Sequence, residues 1–154
     1  MSKCKCKGDS NNNIICNCEF DTFTLSDGNP QTPFVPIELT TDSIMVKEKD
    51  WILKVDSMVD LQADTMTLGP IDVNYVVERI TGGNSTTICT YNVFDERTNS
   101  VFTLTPNNTV CDTPPIGSHR YRLSITDVNT DLNNMLDSTC RCINVTTFKK
   151  DKKK

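Results

Sequence analysis

The sequence predicts an all-β fold, a two-sheet β-sandwich of eight or nine strands in a jelly roll, preceded by an extended N-terminal arm. Three observations carry this expectation. Ala63 is the only alanine in 154 residues while Thr and Asn abound, a composition that disfavours long helices and suits pleated, half-buried strands. Apolar residues recur at period two in several segments. Turn signals fall at roughly ten-residue spacing between those segments, as in sandwiches and barrels.

In chain order, residues 1–18 hold Lys, Gly, Asp, Ser and three consecutive Asn around two Cys-x-Cys pairs, and such a stretch is expected to stay an unstructured arm. Phe20 to Leu25 reads as a half-buried strand through Phe23 and Leu25, closed by the turn Ser26-Asp27-Gly28-Asn29-Pro30. Pro33 and Pro36 limit Phe34 to Leu39 to an edge strand, because proline donates nothing to a ladder. Ser43 to Glu48 follows as a short strand. Trp51 to Leu61 is the cleanest segment, expected as one long strand with Trp51, Leu53, Val55, Val59 and Leu61 on its dry side.

Ile71 to Ile80 and Thr87 to Phe94 flank Thr81-Gly82-Gly83-Asn84 and predict a β-hairpin. Asp95 to Asn99 is expected to turn the chain into Val101 to Thr105, and Thr109 to Asp112 is a further short strand. The stiff Thr113-Pro114-Pro115-Ile116-Gly117 leads into His119 to Val128. Asn129 to Asp137 reads as irregular, with one helical turn through Leu132 to Leu136. Thr139 to Phe148 is the last strand, before a lysine-rich end. This divides the chain into an arm (1–18), a single sandwich domain (19–148) and a basic tail (149–154), a size that fits one core.

Charge is unevenly spread. Half of the sixteen basic residues lie in the arm and tail, whereas eighteen of the twenty acids lie in the body between them. An acidic body repels phosphate, and no basic patch interleaved with aromatics occurs, so nucleic acid is not an expected partner. No run approaches the ~18 apolar residues of a membrane span, and the N-terminus shows no apolar stretch of the kind a Sec-type signal needs.

Catalytic chemistry finds few materials. His119 is the single histidine, and no nucleophile, base and orienting group assemble around it. Glycine-rich phosphate loops and dinucleotide fingerprints are missing. Asp127-Val128-Asn129-Thr130-Asp131 opens like a calcium loop but carries Leu132 where Gly is required and Ser138 where Glu is required, so it reads as a solvated turn. The Asn-x-Ser/Thr triplets at Asn84, Asn107 and Asn144 are expected by chance in a chain rich in these residues. No enzyme activity, cofactor or metal is expected.

Sulfur remains. Of eight cysteines, Cys4, Cys6, Cys16 and Cys18 lie in the arm and Cys89, Cys111, Cys140 and Cys142 in the strand-rich body. Structural zinc favours Cys pairs separated by two to four residues, and these pairs are separated by one. Neighbours in an extended Cys-x-Cys lie ~6.5–7 Å apart, near the limit for bridging one another, so each is free to bridge elsewhere, in its own chain or in another. Eight cysteines allow 105 pairings, and spacing selects none.

The signal-less Cys-rich arm, the isolated strand cysteines and the stretch Thr105-Pro106-Asn107-Asn108-Thr109-Val110-Cys111-Asp112-Thr113-Pro114-Pro115-Ile116-Gly117 together resemble the subunits of bacterial endospore appendages. The resemblance implies a structural, non-enzymatic subunit of an extracellular fibre, polymerised by β-strand addition and locked by interchain disulfides. Cys4, Cys6, Cys16 and Cys18 would then be donors on a connector arm, and Cys89, Cys111, Cys140 and Cys142 the receivers, with Cys16/Cys18 able to bridge within its own domain instead. It further implies a homo-oligomer on the spore surface, synthesis in the mother-cell cytosol with oxidation after release, and an anchor protein of the spore coat or exosporium as a further partner. Two other readings stand beside it: a jelly-roll surface binding module, monomeric or trimeric, with intrachain disulfides only, and a cytosolic metal-thiolate protein.

Overall fold

Alternation at period two turns into architecture most directly in Trp51–Val59, whose residues are buried and half-exposed in strict succession. The computed structural model describes residues 3–4, 14–64, 69–96 and 101–149. These form fourteen strands and no helix: β1 (Lys3–Cys4), β2 (Ile14–Glu19), β3 (Phe23–Asp27), β4 (Ile37–Thr40), β5 (Ile44–Val46), β6 (Trp51–Val59), β7 (Leu61–Asp64), β8 (Ile71–Thr81), β9 (Asn84–Asp95), β10 (Val101–Leu104), β11 (Asn107–Asp112), β12 (Gly117–Asp127), β13 (Met135–Ser138) and β14 (Arg141–Lys149).

One sheet runs β1-β2-β14-β6-β11, and a second runs β4-β12-β8-β9 with β5 also on β12. A smaller third sheet, β10-β7-β13-β3, completes the fold. Take β4 and β5 as one interrupted strand and number the eight principal strands along the chain. The first then lies beside the eighth, third and sixth, and the second beside the seventh, fourth and fifth, the interlocked order of a jelly roll. The expected fold class therefore holds, with short strands added to the eight.

The two main sheets bury an apolar layer that includes Leu53, Val55, Val145, Val73, Val77 and Leu123. Two polar contacts cross this layer. The Tyr75 hydroxyl donates to Ser57 Oγ at 2.8 Å, and Asn17 Nδ2 donates to the Thr40 carbonyl at 2.9 Å. Thr41 interrupts the β4/β5 strand yet keeps it attached. Its amide donates to the Tyr121 carbonyl, and its hydroxyl accepts from the Tyr121 amide. The β8/β9 hairpin closes through Gly82 (φ 56°) and Gly83 (φ 87°), two consecutive left-handed positions that a mirror-image turn requires. Four pairs along that ladder from the turn, pairing skips Ile88 between Cys89 and Thr87, a bulge that bends the projecting tip.

Three expectations need correction. Trp51 to Leu61 is not one strand: the chain steps from the first sheet to the third at Asp60, whose carboxylate accepts the Thr139 and Cys140 amides while its own amide donates to the Cys140 carbonyl. The step preserves the alternation, so the pattern carries no trace of it. The expected helical turn at Leu132 to Leu136 is a tight turn, Asn134 amide to Asp131 carbonyl, followed by β13. Strand pairing there buries Leu136 completely, which a lone helical turn would not do. Finally, the boundary expected at 18/19 falls inside β2. Ile15 packs on the core and Asn17 is tied to Thr40, so Ile14–Glu19 belongs to the sandwich rather than to a free arm. Cys6, the rest of the stretch at 5–13, the turn residues 97–99 and the tail beyond residue 149 lie outside the described residues.

Candidate cross-linking site

The register of the first sheet lines up its cysteines. Cys4 of β1 stands opposite Cys18 of β2, Cys18 stands opposite Cys142 of β14, and Cys142 stands opposite Met58 of β6. Cys18 and Cys142 are joined as a disulfide within the chain, closing a separation of 124 residues. Of the two assignments of Cys18 opened by sequence, an interchain donor or a bridge within its own domain, the structure has the second, because β2 pairs with β14 in full and brings the two sulfurs face to face. Cys142 accordingly receives Cys18 of its own chain. Cys16, two residues back, is also disulfide-bonded, and Asn144 stands opposite it.

Core residues of β6 are its odd-numbered ones, so Met58 and its ladder partner Cys142 lie on the outer face. There Cys142 lines an open groove of about 320 Å³ together with Asp56, Met58, Asn107, Thr109 and Asn144. Cys18 is 7% exposed, so the groove presents the disulfide from the Cys142 side.

Three cysteines are free among the described residues: Cys89, Cys111 and Cys140. Cys89 is on β9, which ends the second sheet, opposite the buried Val77, and it packs against the core near the stacked rings of Tyr75 and Tyr91. Burial first and Cys89 second push the Tyr91 phenol up to about 12. Cys111 is exposed on β11, which ends the first sheet. The two edges adjoin, tied by the Tyr91 hydroxyl donating to the Asn107 carbonyl at 3.0 Å. Cys140 precedes β14. Its thiol is pushed up by burial and then by the Asp60 carboxylate, with Arg141 opposing, so it is held protonated.

Around the sulfur row lie charged residues that sequence reading left without a role. Arg141 grips the turn from β2 to β3: Nε and Nη2 donate to Glu19, Nη2 and Nη1 to the side chain and carbonyl of Asp21, and the guanidinium stacks 5.2 Å above Phe23. Its place between Cys140 and Cys142 was the available signal. Asp60 is partly buried, which raises a carboxyl's pKa, yet hydrogen bonds from the Thr139 hydroxyl and amide, the Cys140 amide and Gln62 outweigh this and hold it below its ordinary value. Nothing in the sequence distinguishes it from the other acids on that strand.

His119, 1% exposed, is spanned by two hydrogen bonds. Nε2 donates to the Pro115 carbonyl at 2.7 Å, which leaves Nδ1 to accept from the Thr81 hydroxyl at 2.8 Å when the ring is neutral. Both ring nitrogens are thus occupied, tying the Pro-rich connection at Pro115 to the end of β8 at Thr81. In the sequence that opened like a calcium loop, Asp127 Oδ1 accepts the Thr130 amide and the Thr130 hydroxyl donates to the Asp72 carbonyl. Among the described residues no three His, Cys, Asp or Glu side chains converge as a metal site, and no helix is long and apolar enough to cross a membrane.

No protein-family model matches the chain, and no curated protein matches it. Among solved structures it is similar to that of infectious bursal disease virus Gx strain, with a TM-score of 0.45 and 13% identity over 96% of this chain and 34% of the other. The infectious bursal disease virus VP2 subviral particle gives 0.43 and 15% over 92% and 34%. Dimeric latent PorU from Porphyromonas gingivalis gives 0.44 and 6% over 88% and 12%. The chain spans about a third or less of the length of these structures, and likenesses of this size bear on no function.

Proposed function

We propose that the chain is a structural subunit of a self-assembling extracellular fibre of the endospore-appendage kind. Copies add strand to strand at open sheet edges and are locked by disulfides between chains. The observation that carries this reading is the pairing of open edges with free sulfur: β9 and β11 each end a sheet, adjoin one another, and carry the unbonded Cys89 and Cys111. An unpaired strand edge is a template for another chain, and a thiol on it turns a reversible contact into a covalent one. On this reading the partners are identical subunits and an anchor protein of the coat or exosporium. The role is structural rather than catalytic, and the place is the spore surface, with synthesis in the mother cell and oxidation after release.

Electrophoresis of the oxidised protein with and without reductant tests it, beside a variant lacking residues 1–13. The deletion stops there because β2 belongs to the sandwich. The expected result is a ladder that collapses on reduction and is missing from the shortened variant. A monomer band under every condition sinks the proposal. The internal Cys18–Cys142 bond favours a second reading, a surface binding module with intrachain disulfides only. That reading predicts the monomer band together with a stability that drops on reduction. Stoichiometric zinc in a reduced monomer would instead support the metal-thiolate reading.

A further inference from the structure

Asp60, Gln62 and Thr139 meet where the chain steps between sheets, and together they hold the parts of an acyl-transfer reaction. Strand alternation brings them together: Gln62 is two residues beyond Asp60, Asp137 stands opposite Gln62, and Thr139 is two residues beyond Asp137. One carboxylate oxygen serves both of the other groups. Asp60 Oδ2 accepts the Thr139 hydroxyl at 2.8 Å and Gln62 Nε2 at 3.1 Å, and Nε2 also donates to Thr139 Oγ1 at 3.2 Å. An ionised carboxylate only accepts, so the Gln62 atom that faces it is the amide nitrogen and not the carbonyl oxygen. We propose that Thr139 Oγ1 displaces this nitrogen, so that the chain forms its own ester between Thr139 and Gln62 and releases ammonia.

The step balances without an oxidant, reductant or co-reactant. Oγ1 attacks Gln62 Cδ as the hydroxyl proton passes to Asp60 Oδ2. The C–N bond then breaks, and the same oxygen returns the proton to the leaving nitrogen. A C–O bond has replaced a C–N bond, ammonia departs, and Asp60 ends as it began. A free alcohol attacks an amide very slowly, but groups held in contact gain an effective molarity of up to ~10⁵–10⁸ M, and ammonia is lost to bulk water. Cδ is one bond beyond Nε2 and so lies within about 4.5 Å of Oγ1. A small turn of the Gln62 side chain closes this to the ~3–3.5 Å of attack.

The surroundings keep these roles apart. Asp60 Oδ1 is taken by the Thr139 and Cys140 amides at 2.7 and 2.9 Å, which fixes the carboxylate and leaves Oδ2 for the proton. Burial raises the Asp60 pKa, but the hydrogen bonds it accepts outweigh this, so it meets the hydroxyl as an ionised base. Cys140 is the rival nucleophile next to Thr139, and burial and the Asp60 charge hold it as the thiol. Gln62 and Thr139 are both half-buried, so ammonia has a way out. The ester would tie β7 of the third sheet to the residues that lead into β14 of the first, by a bond that reductants leave intact.

The bond stands apart from the fibre reading, because it lies within one chain and adds no band to a ladder. The test is the intact mass of the full-length protein, incubated folded for days and then reduced and alkylated. The expected species is lighter by about 17 Da, the mass of ammonia. In its tryptic map residues 55–79 are joined to 123–141 with Cys140 alkylated, and hydroxylamine separates them, leaving a hydroxamate on Gln62. Thr139→Val, Gln62→Glu and Asp60→Asn are expected to keep their full mass, and Thr139→Ser to show the loss. The wild-type measurement decides even where a variant fails to fold: a chain that carries the Cys18–Cys142 disulfide yet keeps its full mass overturns the proposal and leaves a hydrogen-bond network only. A joined pair with Cys140 unalkylated puts the bond on sulfur and overturns it too, as does a joined pair in Thr139→Val. Loss of ammonia without a ladder sinks the fibre and leaves the ester standing, and a ladder at full mass does the reverse.

Discussion

Asp112 collects three hydrogen-bond contacts from two donors at the seam between the main sheets. Its oxygens accept both 2.8 Å contacts from Arg79 Nη1 and a 2.8 Å bond from the Tyr121 hydroxyl. Burial first, and then the neighbouring Asp112 charge, push the Tyr121 phenol well above the ordinary tyrosine range, so it is always a donor here. The Arg79 and Asp112 side chains are only 15% and 10% exposed, so little solvent replaces a lost partner. Asp112→Ala is therefore expected to destabilise the fold by about 3 kcal/mol, the cost of stranding a buried cation, with Arg79→Met in the same chain recovering part of it. Urea unfolding of the two single variants and the double variant measures that coupling. Asp60 makes a different, pH-dependent contribution. Its pKa in the fold is lowered, so its stabilisation is fully present above the ordinary value of 3.8 and is lost as pH falls from there through the native value. Melting curves of wild type and Asp60→Asn should differ near neutrality and draw together on acidification below about pH 4; a constant gap would refute the assignment.

Among elements, the strands that pair within one hairpin were legible and the changes of sheet were not. Ile71 to Ile80, the Gly82-Gly83 turn and its partner strand give β8 and β9 directly, because a two-residue turn fixes their register locally. Asp60 shows the opposite case. A strand leaving one sheet for another keeps its side chains alternating, and the cause of the step, amides at Thr139 and Cys140, lies about eighty residues away. Ile14 and Ile15 were masked by the polar run before them, although two β-branched residues beside Cys16 are the start of an interior strand. The cysteines divided in the same way. Their number and grouping were plain, but the pairing of Cys18 with Cys142 depends on the first and last principal strands being neighbours. That pairing has a measurable consequence at this scale. Closing a loop of over a hundred residues restricts the unfolded chain, so reducing the bond or introducing Cys142→Ser should cost about 3–5 kcal/mol. A loss below 1 kcal/mol in chemical denaturation would show that the sheet alone holds β2 in place.

At the scale of the whole molecule, the strand order brings the two ends of the domain side by side. β2 and β14 are antiparallel, with Ile14 opposite Thr146, so the start of β2 and the end of β14 lie at the same end of the sheet. A load applied between them pulls the ladder apart one pair at a time rather than shearing it. Four pairs, Ile14/Thr146 to Asn17/Ile143, open in turn before the load reaches Cys18–Cys142. There the covalent bond carries it. At ~3.3 Å per freed residue, the oxidised domain should lengthen by no more than about 25 Å under tension between residues 14 and 146, then stiffen abruptly. With the disulfide reduced the peeling runs on into the core, and optical tweezers would record full unravelling in place of the stop. The Cys18–Cys142 bond thus acts as a mechanical arrester: it sets how far the β2/β14 ladder yields before it holds.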